Sequence, residues 1–137
     1  MTPADLSEVD FWFAKNGVKA NAFFHCFANG GDGSLVAVYS AKGDGFEKGP
    51  VVHLGHEGEV FLIASDVPHA LALFAASGDS YEQAITDDEE TALDDEMAAW
   101  LKKTFDLKVP KSVVTAVKAA DAGGAPVKKH VKTLNGE

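Results

Sequence analysis

The chain has 137 residues, 46% of them hydrophobic, with nine Phe and two Trp, which is enough apolar material for one domain whose core needs neither metal nor disulfide. Cys26 is the single cysteine, so an intramolecular disulfide and a thiolate zinc cluster are excluded and a reducing compartment is favoured. The net charge is −9 and all the basic side chains are lysine; lacking the guanidinium that reads phosphate and guanine bidentately, the composition argues against nucleic acid and for a basic partner.

The first residues, Met1-Thr2-Pro3-Ala4-Asp5, show neither a basic leader nor an apolar run, and nowhere do eighteen apolar residues follow one another. A cytoplasmic protein with no membrane segment is expected. Ser7 to Ala14, with Val9, Phe11, Trp12 and Phe13, reads as a short strand or turn packed on the core. Asn16-Gly17 is a strong turn dipeptide before Ala22 to Phe27, whose Phe23, Phe24 and Phe27 suit a pleated, half-buried surface, so a first strand or hairpin is expected there.

From Gly30-Gly31-Asp32-Gly33-Ser34 the chain enters a strand from Leu35 to Ser40, then a loop, a second strand from Pro50 to Leu54, the turn Gly55-His56-Glu57-Gly58-Glu59, a third strand from Val60 to Ala64 and a helix from Ser65. Turns rich in glycine at these joints predict an antiparallel meander. Leu35-Val36-Ala37-Val38-Tyr39 is apolar on both faces, which marks either a central strand covered on each side or an edge whose outer face binds something. Phe46 stands alone in the loop Ala41 to Gly49, folded back on the core or set out as an anchor for a partner.

Ser65 is a suitable N-cap for the helix, with Asp66 complementing its dipole, and Val67, Ala70, Leu71 and Phe74 form its inward stripe. Gly78 stops it. After an acidic loop a second helix carries Leu93, Met97, Trp100 or Leu101, and Phe105 as its buried stripe, with Asp94, Asp95 and Glu96 in the first turn and Lys102 and Lys103 in the last. A third helix runs from Pro110 or Lys111 to about Ala120, with Val113, Val114 and Val117 inward. Ala122-Gly123-Gly124-Ala125-Pro126 breaks it, giving a single domain over residues 1–122 and a flexible, lysine-containing tail over 123–137. Charge is segregated: Asp79 to Glu96 is acidic and free of lysine, whereas eight lysines fall between Lys102 and Lys132.

Chemistry is hard to place on this pattern. His25 and Cys26 are strand neighbours and so point to opposite faces, which separates imidazole from thiol. His53, His56 and Glu57 offer two imidazoles and a carboxylate at a strand end and turn, with Asp32 as a further ligand only if the fold brings its turn close; this is not the helical His-Glu-x-x-His spacing of metalloproteases. The carboxylates from Asp87 to Glu90 and Asp94 to Glu96 have no Ser, His or Cys beside them and read as a solvated face. Gly30 to Ser34 lacks both the P-loop lysine and the dinucleotide-binding spacing. No catalytic residue, metal site or cofactor is assigned.

Gly31-Asp32-Gly33-Ser34 before an apolar strand, then Gly49-Pro50-Val51-Val52-His53-Leu54-Gly55-His56-Glu57-Gly58-Glu59, then Ile63-Ala64-Ser65 and Leu71-Ala72-Leu73-Phe74-Ala75, together resemble the SUKH superfamily. The family pattern places helices and a Leu-Pro element before the sheet, whereas here Leu107-Lys108-Val109-Pro110 comes late in the chain. The resemblance implies an α+β fold, with a mostly antiparallel sheet in the N-terminal two-thirds and amphipathic helices packed on one face. It further implies a bacterial immunity protein that binds and neutralises a cognate, basic protein toxin. The contact residues expected from this reading are Asp32, Phe46, His56, Glu57, Asp87, Asp88, Glu89, Glu90, Asp94, Asp95 and Glu96. Two other roles compete: a regulatory scaffold, and a small-ligand or metal-binding module built on the glycine turns with His53, His56 and Glu57.

Overall fold

A strand that is apolar on both faces is stable only where both faces are covered, and Leu35–Tyr39 (β3) meets that condition by lying at the centre of a five-stranded sheet. The computed structural model describes residues 2–13, 19–30, 32–77, 81–86 and 93–137, without the side chains of 76, 85 and 86. Within these, Thr2–Pro3 (β1), Phe24–Asn29 (β2), β3, Val51–Leu54 (β4) and Val60–Ala64 (β5) pair antiparallel in chain order. The expected meander is present, and all five side chains of β3 are buried.

Alternation along β3 sorts the core into two halves. Leu35, Ala37 and Tyr39 face one side with Phe24, Cys26, Val52, Leu54 and Leu62. Val36 and Val38 face the other with Ala28, Val51 and Ile63. A bulge between Cys26 and Ala28 shifts the pairing of β2 on β3, which is how Ala28 crosses to the second half although Phe24 and Cys26 lie in the first.

Six helices occur among the described residues. Glu8–Trp12 (α1) and Ala125–Leu134 (α6) cover the first half through Val9, Val127 and Val131. Val67–Ser77 (α2), Tyr81–Thr86 (α3) and Val113–Asp121 (α5) cover the second through Ala70, Leu73, Tyr81, Ala84, Val113 and Val117. Asp95–Phe105 (α4) packs against α2. Helices therefore lie on both faces, not on the single face expected, because β3 leaves no face fit for water. No helix among the described residues is long and apolar enough to cross a membrane.

Several local expectations are corrected. Within the segment expected as a strand or turn from Ser7, Glu8–Trp12 is instead the short helix α1, which buries Val9 and turns Phe11 to solvent, and Ala14 lies outside the described residues. The N-cap of α2 is Asp66, whose carboxylate accepts from the His69 N–H at 2.9 Å; Val67, Ala70 and Phe74 face inward as expected and Leu73 joins them, while Leu71 is half-exposed. Part of the expected acidic loop is α3, a two-turn helix that sends Tyr81 into the core. The expected loose tail is α6: Pro126 sits in its first turn, where the missing N–H is harmless, and Val127, Val131 and Leu134 repeat at helical spacing against the sheet. The break after α5 and the start of α6 are thus one Gly-Gly-Ala-Pro signal with two meanings. Asn16, Gly17, Gly31, Gly78, Asp79 and the run Asp87 to Glu90 lie outside the described residues.

The C-terminal helices also close the sheet's open side. β5 is an edge strand, and its outward Leu62 N–H donates to Asp121 Oδ1 at 3.0 Å, while Lys128 Nζ holds Asp121 Oδ2 at 2.9 Å. An edge donor that is already satisfied cannot recruit a foreign strand. Replacing Asp121 by Ala should cost about 1–2 kcal/mol in urea denaturation, and Asp121→Asn, which keeps an acceptor oxygen, should cost less.

Candidate functional site

Antiparallel pairing of β3 with β4 brings the turn before β3 and the turn after β4 to the same end of the sheet. Three residues singled out from sequence meet there. His56 Nδ1 lies 3.2 Å from Asp32 Oδ2, and His56 Nε2 lies 3.8 Å from Glu57 Oε1. Gly58 makes the turn possible with φ of +94°, a conformation that a side chain would strain. Hydrogen bonds from Ser34 hold the Asp32 carboxyl below its ordinary range, with a smaller contribution from the nearby imidazole of His56. Ser34 itself is fully buried, and its Oγ donates to Glu82 Oε1 at 3.3 Å, which ties α3 to the Asp32 turn.

His53 does not join this group. Strand alternation directs it into the second half of the core, where its Nδ1 lies 3.0 Å from the Tyr81 hydroxyl with the two rings edge to face. Burial lowers its pKa, keeping the ring neutral. The bland role of a paired core histidine therefore accounts for it. His56, Asp32 and Glu57 form an open, solvent-facing cluster; among the described residues no set of three or more His, Cys, Asp and Glu side chains is arranged to hold an ion.

Phe46 lies at the opposite end of the sheet. Its ring stacks on His25 with centroids 3.4 Å apart and packs against the second core half, so the folded-back alternative describes it. Cys26 points the other way, fully buried, with Sγ donating to the Asp5 carbonyl; burial pushes the thiol pKa up. A thiol raised and sealed in this way is no nucleophile.

The remaining described candidates, Asp94, Asp95 and Glu96, begin α4. Asp94 caps it by accepting from the Met97 N–H at 3.0 Å, and Asp95 and Glu96 are exposed in its first turn. The stripe expected to be buried on this helix is largely outside: Leu101 is buried, but Trp100 is 51% and Phe105 59% exposed, and Met97 is open as well. Trp100 and Phe105 touch edge to face at 5.3 Å. Trp100 and Phe105 are the functional candidates missed in the sequence, where only the choice between Trp100 and Leu101 hinted that the stripe is wider than one buried face. The described contact residues thus divide among three places: the Asp32–His56–Glu57 end, the Phe46 end, and the start of α4.

No family model, curated protein or solved structure matches the chain.

His53 makes folding sensitive to pH. Its folded pKa lies below the ordinary 6.5, so in acid the unfolded chain takes up a proton that the folded chain refuses, and stability present above about pH 6.5 is lost as pH falls. Urea midpoints measured at about pH 7.5 and 5.5 should fall on acidification, and the fall should be smaller in His53→Gln, whatever that variant's absolute stability.

Proposed function

We propose that this chain is a non-catalytic protein-binding module that occupies a basic protein partner, in its most specific form an immunity protein of the SUKH kind that blocks a toxin acting on nucleic acid. The pair Trp100 and Phe105, exposed side by side on the helix that Asp94, Asp95 and Glu96 open, carries the proposal. A Trp and a Phe left open in contact with each other form an apolar patch, not a scattered residue, and aromatic anchors are how interfaces concentrate their energy. Asp94, Asp95 and Glu96 supply negative charge at the start of the same helix, one turn before Trp100, while Lys102 and Lys103 lie in its last turn with Phe105. The net charge of −9 would speed the approach of a basic surface, such as proteins that act on nucleic acid carry. Blocking such a partner requires complementary shape and charge, not reactive groups. The exposed Asp32–His56–Glu57 cluster is available as a second contact, but it lies on a different element and is not needed for the first.

Capture with the tagged chain, from cells that co-express the proteins encoded beside it, should recover a basic partner whose affinity falls as salt is raised. Trp100→Ala should weaken that affinity by about thirtyfold or more while leaving the circular dichroism spectrum unchanged, and charge reversal at Asp95 and Glu96 should slow association. Recovery of no neighbouring protein, or affinity indifferent to both changes, would falsify the proposal.

A further inference from the structure

On the second face of the sheet, the end of β5, the first turns of α2, the segment linking α4 to α5, and α5 enclose a cleft of about 610 Å³. Its floor is Ile63 and Leu73, both nearly inaccessible, and its wall on the α5 side is built of Ala116, Ala119 and Ala120. Small side chains on that wall leave the space that larger ones would fill. The volume lies within the range of small-molecule sites, as does the pattern of an apolar interior with a few polar groups at the mouth.

The polar groups are unusual for this chain. Lys108, Lys111 and His69 line the cleft, and no carboxylate does, although the sequence carries twenty-one carboxylates against twelve lysines. Lys108 and Lys111 form no ion pair among the described residues, whereas Lys102 and Lys128 each hold an aspartate. Asp66, which adjoins the lining residue Ser65, is engaged with His69, capping α2 through the backbone N–H and facing the ring at 2.5 Å. This leaves two lysine ammonium groups beside an apolar hollow, on a protein whose surface is otherwise dominated by negative charge.

We infer that this cleft binds a small amphiphile with an anionic head, a carboxylate or a phosphate monoester, its apolar body lying over Ile63 and Leu73 and its head meeting Lys108 and Lys111. Burial of the body would supply most of the affinity, and the two ammonium groups would select the sign of the head. The site is separate from the Trp100–Phe105 surface of α4, so the inference stands or falls independently of the partner proposal.

Titration followed by heteronuclear NMR would use octanoate and octyl phosphate as probes, each below its micellar concentration, with octylamine and acetate as controls. Both anionic amphiphiles should shift the amides around Ile63, Leu73 and Ala116, and a preference between them would identify the head. Octylamine should bind at least about tenfold more weakly, and Lys108→Ala with Lys111→Ala should reduce octanoate affinity by about tenfold, the loss of one charge-assisted contact or more. Both lysines are exposed, so folding should be unaffected, and Ala116→Leu, which fills the hollow from α5, provides an independent block. Equal binding of octylamine, shifts that map elsewhere, no binding of either anion, or affinity unchanged in the lysine variant would each overturn the inference.

Discussion

The double-sided burial of β3 is the constraint on which the rest of the structure depends. Every side chain from Leu35 to Tyr39 is removed from water, and a sheet with no wet face must be roofed twice. Three helices from the middle of the chain roof one side, and the two at its extremes, α1 and α6, roof the other. The final helix is therefore a structural member: without it Leu54, Leu62 and Tyr39 would lose their cover. Tyr39 marks the dependence directly, since its hydroxyl meets His130 Nδ1 at 2.8 Å across the interface with α6.

Polar groups inside this arrangement are paired, as burial requires. His53 meets Tyr81 and Ser34 meets Glu82, and both partners come from α3. A helix of six residues is too short to be stable by itself; its place is fixed by these two hydrogen bonds and by burial of Tyr81 and Ala84. The same two contacts give His53 and Ser34 a structural role. What remains at that end of the sheet, Asp32 with His56 and Glu57, is open to solvent and shaped as a surface.

Function, on the reading proposed above, then belongs to what the roof leaves uncovered. α4 stands on α2 away from the sheet, so its apolar stripe is only partly used by the fold, and Trp100 and Phe105 are left for another molecule. A few residues further on, the link between α4 and α5 carries Lys108 and Lys111 to a hollow free of carboxylates. The acidic start of α4 and this lysine-edged cleft present opposite charge, which suits them to different ligands.

Strand positions were legible in the sequence because their signals are local: glycine turns, period-two burial and a run of apolar β-formers place Leu35 to Ala64 nearly residue for residue. The cap and charge order of α4 and the inward valines of α5 were equally readable. Helix α6 was hidden by its lysines, which decorate one side of a stripe only three residues wide, and α1 and α3 were too short for periodicity to register. Which apolar residues stay dry was decided by tertiary structure alone. Whether Trp100, Phe105, Phe11 or Leu71 is covered depends on the neighbour each helix meets, and that neighbour comes from distant chain. For the same reason the sequence could offer His53 and His56 as a pair, but only the pleat of β4 could send one into the core and leave the other in water.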